Sequence, residues 1–211
     1  MKKIVIFGST GTVGKHVVDQ ALEKGFEVLA FCRDKQKLTG LLHPNLKIME
    51  GDVFNSKDVN SAVTGQETVI VTLGSGKSRT GTVRSEGTKN IIDAMQTNGV
   101  SELICQTTLG AGDSIKNLNF FWKRIMFGWF LKKVFRDHEL QEKLVKSSSL
   151  DWIIVRPAAF TDGEKTNKYL HGFKFDDKST KLKISRADVA DFILKQVTDK
   201  KYLHQTPGLS Y

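Results

Sequence analysis

Three groups of residues in this 211-residue sequence have the types and spacing that chemistry needs. The first lies in "KKIVIFGSTGTVGKHVV", residues 2–18, where a short apolar run leads into Gly8, Gly11 and Gly14, with Ser9, Thr10 and Thr12 between them. A strand that turns through small residues into a helix leaves the first N–H groups of that helix open to a phosphate. Gly8 permits the tight turn, Gly11 lets a phosphate reach the main chain, and Gly14 lets the helix, opening at Val13, pack against the strand. The three hydroxyls add donors without bulk. This pattern points to the pyrophosphate of a dinucleotide.

The second group follows the next apolar run, in "EVLAFCRDKQKL". Sites for NAD present a carboxylate to the ribose hydroxyls at that point. Here Arg33 ends the strand with Lys37 one turn on, which suits a 2′-phosphate and predicts NADP in preference to NAD. Asp34 is the competing carboxylate, but neighbouring side chains on an extended chain point to opposite sides. Further on, "GDV" is expected to bring Asp52 near the adenine, with Val53 packed on the ring. "TLGSG" is expected to bring Leu73, Gly74 and Ser75 against the cofactor.

The third group concerns the reacting end. Thr107 and Thr108 in "CQTTLGAG" sit where a strand should end, so a hydroxyl could bond a nicotinamide amide or a substrate; β-branched residues also suit strands for their own sake. His138 and Glu142, four apart in "RDHELQEKLV", share a helix face, and His138 is either a proton donor or a partner within the helix. In "ISRADVADFIL", Ser185 and Asp188 read as capping and packing at the start of a helix.

The elements that must position these groups alternate. Strands are expected at Lys3–Phe7, Glu27–Cys32, Leu46–Glu50, Thr68–Leu73, Glu102–Gln106 and Trp152–Arg156. Helices are expected at Val13–Lys24, Ser56–Val63 with Ser56 as cap, Ser85–Asn98, Asp137–Ser147 and Arg186–Thr198. Gly25 and Gly99 fall where helices should stop. Nearly continuous apolar runs such as "TVIVTL" and "DWIIV" imply strands covered on both faces. That order is a doubly wound parallel sheet, a three-layer α/β/α Rossmann fold. Residues 1–211 read as one dinucleotide-binding domain, with a basic aromatic insertion at about 113–136 near the substrate site.

Composition narrows the function classes. The chain has two cysteines, Cys32 and Cys105, far apart and without metal-ligand spacing, so no disulfide framework or metal site is expected and a reducing cytoplasm fits. No apolar run reaches the length of a membrane span. The formal net charge of +9 concentrates at Lys116, Lys123, Arg124, Lys132, Lys133, Arg136, Lys143 and Lys146. It reads either as a solvated basic face or as attraction to a polyanion, nucleic acid included. Two of the three Trp and five of the thirteen Phe lie in "NLNFFWKRIMFGWFLKKVFRDHE". Three accounts suit that segment: a lid over a planar substrate, a patch for a protein partner, or an amphipathic element on an anionic membrane.

With these motifs in place, the chain resembles the atypical short-chain dehydrogenase/reductase superfamily. Within it, the resemblance is to the NAD(P)H-binding, NmrA-like group of the biliverdin-IXβ reductase (flavin reductase) type. Besides the stretches above, "GDVFNSKDV", "RSEGTKNIIDAM" and "RDHELQEKLVKSSSLDWIIVRP" carry it, over nearly the whole length. The resemblance implies that Gly8, Thr10, Gly11, Thr12, Val13, Arg33, Lys37, Asp52, Val53, Leu73 and Gly74 contact NADP. It also implies that Pro157, Ala158, Ala159 and Phe160 lie beside the nicotinamide. Most such dehydrogenases use a Tyr-x-x-x-Lys pair, but none of Tyr169, Tyr202 and Tyr211 has a lysine four residues on. The biliverdin-reductase type uses a serine, at which Thr108 stands here, and a histidine, at which Ala159 stands. Together these imply an NADPH-dependent reductase that passes hydride to a small planar acceptor such as a flavin or quinone. The rival reading is an NADP-binding redox sensor without turnover, acting on a protein partner.

Overall fold

The computed structural model describes residues 1–74, 81–118, 131–174, 177 and 179–211. Strands β1 (Lys3–Phe7), β2 (Glu27–Cys32), β3 (Leu46–Glu50), β4 (Thr68–Val71), β5 (Glu102–Gln106) and β6 (Asp151–Pro157) alternate with helices α1 (Gly14–Glu23), α2 (Ser56–Val63), α3 (Val83–Asn98) and α4 (Lys132–Ser147). After β6 come β7 (Ala159–Thr161), β8 (Leu170–His171), β9 (Lys183–Ser185), α5 (Arg186–Gln196) and β10 (Gly208–Ser210).

The main sheet has the order β3-β2-β1-β4-β5-β6-β10-β8, parallel except where β8 runs against β10. The alternation along β1 explains the layers. Ile4 and Ile6 point into one core with α1 and α5; Val5 and Phe7 point into the other, with α2 and α3. α1 packs on α5, and α2 on α3 on α4. Each such residue, fully removed from water, contributes about 1.5–3 kcal/mol, so a sheet apolar on both faces forces helices onto both. The expected three-layer Rossmann order is what the molecule has.

Differences are local. β4 stops at Val71, two residues before the expected end, because the chain leaves the ladder to pass Gly8. The cap of α2 is Asn55, whose carboxamide oxygen accepts from the N–H of Lys57, rather than Ser56. α4 begins at Lys132, five residues before the expected Asp137. Strands β7 to β10 carry too few residues for a periodicity. They form because β10 finds the open edge of β6, and β7 pairs with β9 in a separate two-stranded sheet. Ser185 caps α5 as expected, accepting from the N–H of Asp188. Cys32 and Cys105 are buried thiols.

Candidate functional site

In the strand order, β1 sends its connection toward β2 while β4 continues on its other side. Such a reversal opens a crevice at the carboxyl ends of the strands. A cleft of about 710 Å³ lies there. Its lining comes from the turn after β1 (Gly8, Thr10, Gly11, Thr12, Val13), the end of β2 (Phe31, Cys32, Arg33, with Lys37), Val53, the end of β4 (Thr72, Leu73, Gly74), Val83 and Arg84 of α3, Gln106, Thr107 and Thr108 after β5, His138 of α4, and Phe160.

The glycine turn is built by close approach. Gly8 has φ +87°, and a Cβ there would meet the Thr72 carbonyl oxygen at 2.5 Å. At Gly14 a Cβ would run into the carbonyl oxygen of Gly8 itself, so the side chain of any other residue is excluded by backbone. The N–H of Gly11 closes the turn on Gly8 O at 2.9 Å, and Thr72 donates to Phe7 O from its N–H and hydroxyl. The helix that follows is left open: Val13 gives α1 no side-chain cap, and its first turn holds no acid. N–H groups at a helix start that no side chain takes up are suited to a diphosphate.

Several predicted residues do something other than expected. Ser9 is fully buried, and its hydroxyl donates to Phe31 O at 2.8 Å, which ties the turn to β2; it offers no hydroxyl to the cleft. Gly14 is buried behind the turn. Asp52 does not line the cleft: its carboxylate accepts from the N–H of Phe54 at 3.0 Å and so shapes the approach to α2. Pro157 and Ala158 are buried at the end of β6, Ala158 donating to Leu209 O of β10, and neither they nor Ala159 reach the cleft wall. Ser75 lies outside the described residues, as does the 119–130 stretch that holds most of the aromatic insertion. Phe160 does reach the cleft, with the Arg186 guanidinium 5.5 Å from its ring centre.

At the mouth, Arg33 is exposed, while Asp34 is used locally: its carboxylate accepts from the N–H of Gln36 at 3.0 Å and stands 3.7 Å from Lys37 Nζ. At the far end, Thr107 is buried and its hydroxyl donates to Glu142 Oε1 at 2.8 Å, so only its lone pairs remain to accept. Glu142 is thus no partner of His138. It is held by Arg156, a fully buried guanidinium whose Nε and Nη2 donate to its two oxygens, and Lys146 Nζ lies 3.1 Å away. Burial pushes the Glu142 carboxyl up, but the Arg156 hydrogen bonds and charge outweigh it and the pKa ends below the usual range. Thr108 is half-buried and its hydroxyl makes only a 3.4 Å contact with Leu109 O, which leaves it for a ligand.

Of the two readings of His138, the structure shows the partner within the helix. Burial, together with the positive charge of Arg84, pushes its imidazole down to about 3, and its Nδ1 lies 3.3 Å from Gln141 Oε1. It faces the cleft as a neutral ring rather than as a protonated donor.

Sequence reasoning missed Arg84. It is only 8% exposed and sits in the first turn of α3, where the helix dipole disfavours a cation. That mismatch, an arginine opening a helix inside the motif "RSEGTKN", was the available signal. Its neighbour Asp137, reaching across from α4, accepts from the N–H groups of Arg84 (3.1 Å) and Ser85 (3.0 Å) and from the Ser85 hydroxyl.

Comparisons with known proteins fit this geometry. A family model described as NAD(P)H-binding matches residues 8–200. ChuY of Escherichia coli O157:H7, an anaerobilin reductase, superposes with a TM-score of 0.84 at 26% identity, covering 99% of this chain and 97% of its own. A short-chain dehydrogenase/reductase of Veillonella parvula, solved in complex with NADP, superposes with a TM-score of 0.84 over 100% of this chain and 94% of its own; at 15% identity it speaks for the fold alone. An uncharacterised chloroplastic protein of Arabidopsis thaliana is 28% identical over 95% of this chain and 73% of its own length. With its glycine turn, its open helix start and a family match over nearly its full length, the chain belongs to the NAD(P)H-binding family and is a Rossmann-fold oxidoreductase.

Proposed function

We propose that the protein is an NADPH-dependent reductase of a small planar aromatic acceptor, of the flavin or quinone kind. The observation that carries this reading is the make-up of the cleft, which offers main-chain donors with Arg33 and Lys37 at one end and, among its described residues, Thr108, His138, Arg84 and Phe160 at the other. The three tyrosines are engaged elsewhere: Tyr169 donates to Asp191, Tyr211 to Asp188, and Tyr202 pairs with His171, each at 2.7 Å. The Tyr–Lys proton relay of a carbonyl-reducing dehydrogenase has no counterpart among the described residues of the cleft.

The residues present fit the cofactor. The uncapped start of α1, with Gly11, Thr10 and Thr12, would hold the pyrophosphate. Arg33 and Lys37 would take the 2′-phosphate; Asp34 spends its carboxylate on the N–H of Gln36 and on Lys37, 3.7 Å away, and so offers none to a ribose hydroxyl. Val53, Leu73 and Gly74 supply apolar contact. When bound, the reduced dinucleotide supplies a hydride, chemistry that belongs to the cofactor. The chain's share is to bind, orient and exclude water. Thr108 offers a hydroxyl to the reacting rings, neutral His138 a ring N–H or lone pair, and Phe160 a face on which a planar acceptor can stack. Electron-poor rings accept hydride with little help from side chains, and solvent supplies the proton. The similarity to an anaerobilin reductase supports a planar acceptor for this chain. Ala159, standing where the biliverdin-IXβ reductase resemblance expects a histidine, argues for acceptors that need no strong acid.

The test is to follow NADPH oxidation with FMN, menadione and biliverdin in parallel. Turnover of FMN or menadione is expected. NADPH binding in the micromolar range or tighter, with no acceptor reduced, would replace the enzyme with a sensor that only reports the dinucleotide. The commitment of Thr107 to Glu142 and the neutrality of His138 favour that second reading, since both thin out the catalytic equipment.

A further inference from the structure

We propose that Arg84 is the residue that selects the acceptor, by holding an anionic group, phosphate or carboxylate, carried on its ring system. This rests on the reductase reading.

Arg84 Nε and Nη1 have no hydrogen-bond partner among the described residues, although the side chain is nine-tenths buried. A buried cation with unused donors is costly unless something charged completes it. Asp137 is the nearest carboxylate, yet it stands 3.5 Å from Nη1, and its oxygens already accept from two N–H groups and a hydroxyl at the start of α3. Asp137 therefore offsets charge without satisfying the fork. Burial pulls the Arg84 pKa down and the Asp137 charge only partly restores it; the group remains protonated, as guanidinium does at any ordinary pH.

Position then says which ligand would meet it. Arg84 lines the same cleft as Thr107, Thr108 and His138, on the α3–α4 wall, and its charge is felt by the His138 imidazole. Arg33 and Lys37 stand at the other end, beyond the glycine turn, where the 2′-phosphate is expected. The described residues that line the cleft include no Asp or Glu; the nearest carboxylates, Asp137 and Glu142, stand behind Arg84 and Thr107 and are held by donors of their own. Gln106, also in the wall, has a second buried polar atom, Oε1, without a partner. Nε and Nη1 lie on different edges of the guanidinium, and each is a charge-assisted donor suited to an oxygen of a phosphate or carboxylate.

Three flavins with one ring system separate the contributions: FMN, a 10-carboxymethyl flavin and lumiflavin, which has no anion. Binding is read by quenching of flavin fluorescence on protein saturated with NADP⁺, so turnover is not needed. Wild type is expected to hold the two anionic flavins about 10- to 100-fold more tightly than lumiflavin, the range for hydrogen bonds to charged groups. The FMN to carboxymethyl ratio tells phosphate from carboxylate. Arg84→Met should bring the anionic flavins to the lumiflavin level, with lumiflavin and NADPH affinities within about twofold of wild type. Arg84→Lys should recover part of the preference, because it keeps the charge and loses the fork. If removing Arg84 leaves Asp137 uncompensated and the Met variant does not fold, the Lys variant decides: a drop confined to the anionic flavins supports the proposal. Equal losses for FMN and lumiflavin, a loss of NADPH affinity as large as the FMN loss, or no preference in wild type overturns it. Retention of the anion preference in a protein that reduces no acceptor would overturn the reductase reading and leave the Arg84 assignment standing.

Discussion

Helices α1 and α3 both begin at the cleft, and their first turns are finished in opposite ways. α1 starts from Val13 with no capping side chain and no acid nearby. α3 starts with Arg84 and Ser85, whose N–H groups both donate to Asp137, a carboxylate lent by α4. Where a ligand is to supply the negative charge, the fold leaves the helix start bare. Where the fold supplies its own carboxylate, the helix is already satisfied, and the arginine riding on it keeps Nε and Nη1 without a hydrogen-bond partner among the described residues. An N–H array and a guanidinium thus sit at two ends of one cleft and answer to different anions.

The comparison can be broken most violently at Gly14. Gly14→Val places side-chain carbon on the Gly8 carbonyl, so the turn that presents α1 cannot form. Loss of NADPH binding by more than about 100-fold is expected, or failure to fold, as seen by fluorescence titration and circular dichroism. Asp137→Ala attacks the other helix. It removes the α3 cap and the nearest counter-charge of Arg84, and should cost about 2–4 kcal/mol in urea unfolding. NADPH affinity of the folded fraction should change by less than about threefold; a loss as large as that of Gly14→Val would mean the two helix starts share one ligand.

Arg33→Ala sharpens the assignment of the α1 end. NADPH affinity should fall about 10- to 100-fold and NADH affinity hardly move; equal losses would remove the 2′-phosphate contact. His138 gives a pH readout of the α3 end. Its folded pKa, near 3, lies below the unfolded value, so between the two the unfolded chain binds more protons. Stability is complete above about pH 6.5 and declines as pH falls from there toward 3, by at most about 1.4 kcal/mol per unit. His138→Gln should flatten that slope in urea titrations, and an unchanged slope would show that another group carries it. The smallest effect is expected from Ser9→Ala, about 1 kcal/mol of stability from the lost bond to Phe31 O, with NADPH affinity within twofold.

The fold was legible because its signals are local. Apolar runs on both faces of β1, β4 and β6, and glycines after the helices, report their surroundings within a few residues, and all six long strands appear where that pattern puts them. The glycine turn was legible for the same reason. Ser9 was misread because a hydroxyl between glycines looks like a donor to phosphate, while β2, 22 residues away, takes it. The partner of the Asp52 carboxylate, the N–H of Phe54, was not legible, because it is available only once the chain turns into α2. His138 and Glu142 share a helix face, as their spacing predicts, but Arg156 from β6 claims the glutamate and burial keeps the histidine neutral.

The sequence by itself determined the layered parallel sheet, the dinucleotide turn and the basic end of the cleft, since periodicity, glycine positions and charge at a strand end act over short stretches of chain. Only the tertiary structure decided which polar side chains are spent and which are left over. Asp137 satisfies a helix 53 residues before it, and Glu142 ties up Thr107 from 35 residues away. A hydrogen-bonding group's partner depends on which atoms the fold brings within 3 Å or so, and that distance is set by packing between elements, which no single stretch of sequence contains.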